Sequence, residues 1–244
     1  MKGFAAGGST AGDTAQISPG TSGKSEPGLA ALPESFRHAL RELHQATPRR
    51  EAQVEEIPAP SKLAPFAVAL RAEVSSRHAA QDADHDGAQK LETPPHPVTR
   101  LHPAAQEEDT LATGRFILLH DPDGHPTWDG TFRAVIYIRA ELDAEMANDP
   151  LLSSVAWTWL SDSLAQHGVE YAHEGGTATR ILSESFGSLQ TRASSNDVEL
   201  RASWTPRGSE LAAHLEAWAD MVCSFAGLPP LPDGVLALPH IRRN

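Results

Sequence analysis

The residues best suited to chemistry cluster in one short run, His120-Asp121-Pro122-Asp123-Gly124-His125. Imidazoles beside carboxylates could hold a borderline metal or relay a proton. A metal site needs a third fixed ligand, and the spacing offers none. Asp and Gly also supply turn geometry, which accounts for this run better than a metal does. A second acidic run, Asp82-Ala83-Asp84-His85-Asp86-Gly87, matches the first half of a calcium loop, with oxygens at alternate positions and Gly at the sixth. The twelfth position should be a bidentate Glu and is Thr93. Gln89 stands where an apolar residue would pin the loop. A solvated acidic loop is the better account. Cys223 is the one cysteine and adjoins an apolar helical stripe, which predicts a buried, inert thiol. Ser183, Glu184 and Ser185 fit no nucleophile elbow. There is no phosphate-binding loop, dinucleotide glycine fingerprint or paired-cysteine zinc motif. The sequence therefore assigns no catalytic residue, no metal and no cofactor.

Composition narrows the remaining classes. A formal charge of −12 over 244 residues argues against a generic phosphate-backbone binder. One cysteine excludes an intramolecular disulfide and fits a reducing cytosol. The first residues, MKGFAAGGSTAGDTAQ, lack the apolar core of a signal peptide. No run approaches the ~18 apolar residues of a membrane span. The expectation is a cytoplasmic protein with no membrane contact.

The elements that must position any site follow from periodicity. Residues 1–32 carry little to bury and read as a disordered tail. ESFRHALRELHQA places Phe36, Leu40 and Leu43 on one helical stripe. EEIPAPSKLAP reads as an extended connector and PFAVALRAEV as a strand. Residues 75–110 read as a disordered insertion, because loop closure costs little extra as length grows. GRFILLHD and TFRAVIYIRA are strands joined by a longer hairpin loop, PDGHPTWDG. Asn148 or Asp149 caps the next helix with Pro150 at its first position, and Gly168 ends it. The stripe of that helix is Leu152, Val155, Ala156, Trp159, Leu160 and Leu164. TATRILSESF alternates, with Ala178, Leu182 and Phe186 on one side. DVELRASW alternates more cleanly, with Val198, Leu200, Ala202 and Trp204 inward. Ser209 caps a last helix with Leu211, Leu215, Trp218, Val222 and Phe225 inward, and Gly227 ends it. Residues 233–244 form a C-terminal tail.

This order, α-βββ-α-ββ-α, predicts a single α+β domain over residues 33–232. It has two layers, with an antiparallel sheet of about five strands and helices on one face. The topology is similar to that of type III secretion chaperones, an analogy of element order alone.

Several segments carry a resemblance at the level of sequence: EEIPAPSKLAPFAVAL, ATGRFILLHDPDGHPTWDGTFR, DPLLSSVAWTWLSDSL, RASWTP and HLEAWADMVCSFAGLPPLP. Together they resemble an actinobacterial family known only as a domain of unknown function, number three thousand in its series. The resemblance implies an actinobacterial source and a non-secreted protein, and it carries over no catalytic residue.

One constellation survives this sorting. With the helices on one face, the other carries Arg133, Val135, Tyr137, Arg139, Thr179, Ile181, Ser183, Glu199 and Arg201, with Ile117 and Leu119 as neighbours. Half-apolar faces with Arg and Tyr suit an interface. An ordinary solvated sheet with long side chains over its aliphatics suits the pattern as well. Trp128 in the hairpin loop and Trp157 off its helix stripe are further contact candidates. The sequence favours a non-enzymatic binding or adaptor protein acting through Arg133, Tyr137, Arg139, Arg201 and Trp128. Its partner is a second copy or another protein. The alternatives are an RNA-associated accessory protein on the same platform, against which the net charge weighs, and a small enzyme near His120 and Asp121.

Overall fold

The computed structural model describes residues 32–76, 109–142, 146 and 149–228. The expected tails, the calcium-like run and all but the ends of the 75–110 insertion lie outside the described residues. From Pro33 onward the described residues belong to one unit.

Among the described residues there are three α-helices: α1 (Glu34–Gln45), α2 (Leu152–Gln166) and α3 (Leu211–Phe225). Six strands accompany them: β1 (Gln53–Ile57), β2 (Phe66–Ser75), β3 (Thr110–His125), β4 (Gly130–Leu142), β5 (Tyr171–Ser183) and β6 (Ser195–Pro206). They form one sheet in the order β1-β2-β3-β4-β6-β5, and every neighbouring pair is antiparallel. The architecture is thus α+β with an open antiparallel sheet and the expected element order, with one strand more. That strand is β1, inside the segment read as a connector. Its five residues pair with Ala69–Glu73 before Pro58 ends the run. Alternation over five residues is too short to stand out beside two prolines.

Other boundaries moved for local reasons. β3 runs on to His125, so the hairpin loop shrinks to residues 126–129 and His125 pairs with Gly130. Asp149 Oδ1 accepts the Leu151 amide at 2.8 Å, but α2 starts only at Leu152. Ser209 does not cap α3 with its side chain. Glu210 holds the cap position without a side-chain bond, and the Ser209 carbonyl accepts the Leu211 amide. Gly168 and Gly227 do end their helices with φ of 62° and 79°, a region that glycine enters at no steric cost.

The core lies between the sheet and α3. Leu211, Leu215, Trp218, Val222 and Phe225 are all buried, as the spacing predicts. Each such side chain contributes roughly 1.5–3 kcal/mol on burial. On β6, Val198, Leu200, Ala202 and Trp204 are buried beneath the helices. Two apolar assignments fail. Val155 is 37% exposed on the outer side of α2. Leu182 and Phe186 are exposed because β5 is an edge strand whose end no helix reaches.

α3 approaches the sheet closely at Gly114. A Cβ there would sit 2.6 Å from Val222 Cγ2 and 2.8 Å from Trp218 Cζ2. Neither neighbour has a flexible end that could swing away. We expect Gly114→Ala to lower stability by about 1–3 kcal/mol through overpacking. Gly175→Ala, in β5 with nothing within 4 Å of the added atom, should stay within about 0.5 kcal/mol of wild type. Chemical denaturation of the two variants measures the difference. Equal losses would remove the close-approach argument.

Candidate functional site: the open sheet face

With the helices on one side, strand alternation fixes what the other side carries. One level of the sheet reads Glu55, Arg71, Arg115, Tyr137, Arg201 and Thr177, one residue from each strand. The next level reads Gln53, Glu73, Thr113, Arg139, Glu199 and Thr179. Every residue expected on this face from β4 and β6 is on it, and Ile117 and Leu119 join them.

Tyr137 is the centre. Its hydroxyl donates to Glu199 Oε1 at 2.8 Å, and the Arg201 guanidinium lies 5.5 Å from its ring centroid. Arg201 Nη2 donates to Glu199 Oε2 at 2.9 Å, so one carboxylate receives both. Burial, then the hydrogen bond to Glu199, pushes the Tyr137 hydroxyl above its ordinary pKa. Arg139 grips Asp197 with two donors, Nε at 3.3 Å and Nη2 at 3.0 Å, a fork matched to a carboxylate. That pairing raises the Arg139 pKa.

The depth of the charges matters more than their number. Side-chain exposure is 67% for Arg201 against 10% for Glu199, and 48% for Arg139 against 10% for Asp197. The carboxylates are sunk and the guanidinium groups stand proud. Arg71 pairs with Glu55 at 2.9 Å nearer the β1 edge. Arg115 is exposed between Arg71 and Tyr137 and forms no ion pair among the described residues.

The five candidate contact residues separate into two groups. Tyr137, Arg139 and Arg201 come together. Arg133 is half-buried and engaged with neutral oxygens: Nη1 donates to the His173 carbonyl at 2.8 Å and to Thr205 Oγ1 at 3.1 Å, and Nη2 donates to Ser203 Oγ at 2.8 Å. It fastens the irregular start of β5, where His173 has φ of 54°, to β6. Trp128 is in the β3–β4 turn, some 25 Å along the strand from Tyr137. Its ring stacks on His125 at 4.5 Å, and its carbonyl accepts Thr205 Oγ1 at 2.6 Å. Trp157 packs over β5, with Cζ3 2.8 Å from where a Gly176 Cβ would be.

Sequence reasoning missed Arg115 and Arg71. The signal was present for Arg115, which stands two residues before Ile117 in an alternating strand. Arg71 became visible only once the β2–β3 register paired it with Arg115.

The histidine expected to carry acid–base chemistry is 1% exposed. His120 stacks between Phe36 and Phe132, at 5.7 and 4.3 Å. Its Nδ1 lies 3.0 Å from the Thr131 carbonyl, which can only accept, so the proton is on Nδ1. Ser35 Oγ therefore donates to Nε2 at 2.9 Å. Burial lowers the His120 pKa and keeps the ring neutral. Asp121 instead accepts the Asp123 amide at 3.2 Å, as turn chemistry requires. Among the described residues no three His, Cys, Asp or Glu side chains converge as a metal site would need. Burial also pushes the Cys223 thiol up to about 12, well away from nucleophilic chemistry.

An open-faced α+β sheet protein with a networked arginine–tyrosine surface is the class that fold and site define together. The chain belongs to the family described as Protein of unknown function (DUF3000), which it matches over residues 32–236. No curated protein and no solved structure matches it. No helix among the described residues is long and apolar enough to cross a membrane.

The buried histidines make stability depend on pH with opposite signs. Burial lowers the His214 pKa from 6.5 to about 4 and lowers His120 in the same direction. Their contribution is complete above the ordinary value and is lost as pH falls toward the folded one, on the order of 3 kcal/mol for His214. His167 Nε2 bonds Asp220 Oδ2 at 2.8 Å, which raises its pKa despite burial. Its contribution is complete below the ordinary value and is lost as pH rises through the folded one. We expect urea denaturation to weaken as pH falls from about 6.5 toward 4. His167→Gln should flatten the decline on the alkaline side. A wild-type curve flat across the acidic window would contradict the burial of neutral His214.

Proposed function

We propose that this is a non-enzymatic binding or adaptor protein whose open sheet face receives an acidic segment of a protein partner. The observation that supports this most is the inversion of depth, with carboxylates sunk beneath exposed guanidinium groups. A chain of strongly negative net charge thereby offers a cationic patch at Arg115, Arg139 and Arg201. Tyr137 adds a ring already held in place by Glu199, which lowers the ordering cost of an interface. A second copy is a poorer occupant, because two such faces meeting would oppose arginine with arginine. RNA would meet the same guanidinium groups, but one aromatic ring makes a thin stacking platform. The lone buried thiol supports a cytoplasmic location, and the resemblance noted above supports an actinobacterial source.

Arg133 is a poor test position because it braces β5. Arg115→Glu with Arg201→Glu changes exposed tips only. Fluorescence anisotropy with a labelled Glu- and Asp-rich peptide should show binding that weakens with salt and falls at least about tenfold in the double variant. Light scattering should report a monomer. Absence of peptide binding at low salt would sink the proposal. Tighter binding of a single-stranded RNA of equal charge would move it to the RNA alternative.

A further inference from the structure

A second site lies at the start of α3, among residues that the open-face proposal does not use. A cleft of about 250 Å³ is lined by Gly168, Val169, Glu170, Arg207, Gly208, Ser209, Glu210 and His214. The informative residue is His214. It is 1% exposed, yet it lines the cleft. Its Nδ1 lies 3.1 Å from Trp204 Nε1. An indole nitrogen can only donate, so Nδ1 accepts and the imidazole proton is on Nε2. Among the described residues that Nε2–H has no acceptor. A buried donor left without a partner is costly, which is a reason to look for what it serves.

The surrounding groups define the ligand. α3 has 15 residues, and its capping position supplies no side-chain bond. The amides of its first turn beyond Leu211 have no intrahelical acceptor and carry the positive end of the helix dipole. Arg207 also lines the cleft, held by its two bonds to Asp129 at 2.9 and 2.7 Å. These donors suit a carboxylate. Glu170 and Glu210 line the same cleft, so a dianion would meet repulsion, while a cationic group would meet two partners. We infer that this cleft binds a small zwitterion of the amino-acid class. Its carboxylate lies on the His214 Nε2–H and the first-turn amides of α3, and its ammonium meets Glu170 and Glu210.

The test uses the isotope-labelled full chain at neutral pH and constant ionic strength, titrated with glycine, acetate and inorganic phosphate. Glycine should shift the Ala212 and Ala213 amides and the His214 Nε2 signal saturably. Acetate should move the same signals with about fivefold weaker affinity, the worth of one partly exposed ion pair. Glu170→Gln with Glu210→Gln, both exposed positions, should erase the advantage of glycine over acetate. Signals unmoved by about 20 mM glycine would overturn the site. Phosphate binding tighter than glycine, or a full glycine advantage in the double variant, would overturn the zwitterion.

Discussion

The close seating of α3 on Gly114 is the constraint on which the rest depends. Because β3 lacks a side chain there, Trp218 and Val222 reach the backbone of the sheet. α3 then occupies the middle of the sheet, with α1 and α2 at its flanks. Their mutual ties are polar as well as apolar. The Ser163 hydroxyl donates to the Ala217 carbonyl at 2.6 Å, His167 meets Asp220, and the Thr47 amide donates to Glu216 at 2.7 Å. Three helices joined in this way cover one face and leave none for the other. The open face is thus a consequence of where the apolar stripes are, not a separate feature.

An uncovered face must be soluble without being loose. Ala69 and Leu119 lie on it and are buried even so, sheltered by longer side chains around them. The acids are buried too, which would be costly for isolated carboxylates. Arg139 and Arg201 compensate them from above, and Tyr137 supplies a neutral donor to Glu199. Removing one arginine would leave a sunken charge without its counterion, so the network is rigid in a way that scattered surface pairs are not. Rigidity of the exposed tips follows from the depth of their partners.

The parts of this fold that were legible in the sequence are those where one face is apolar over many residues. The stripe of α3 and the alternation of β6 each repeat often enough to fix orientation. The membership of the open face followed from the same alternation. What was not legible depends on pairing. β1 is too short to announce itself, and the end of β5 looks apolar without being covered. The depth of Glu199 relative to Arg201 has no local signature at all. It follows from cross-strand neighbours that register alone brings together.

Histidine shows how far composition can mislead. His120, with acids beside it in sequence, invites catalysis, yet phenylalanine rings and a backbone carbonyl occupy it. His167, unremarkable in sequence, faces Asp220 and gains affinity for a proton. His214 falls between Leu211 and Leu215 on the apolar stripe, where a core role is the obvious assignment. It is as buried as that assignment requires, and one nitrogen is indeed used within the core, by Trp204. The tautomer this bond imposes puts the remaining proton on the side that meets the cleft. The chemistry of an imidazole in this protein is set by which of its two nitrogens the fold has already engaged, and neighbouring residues in the chain say little about that.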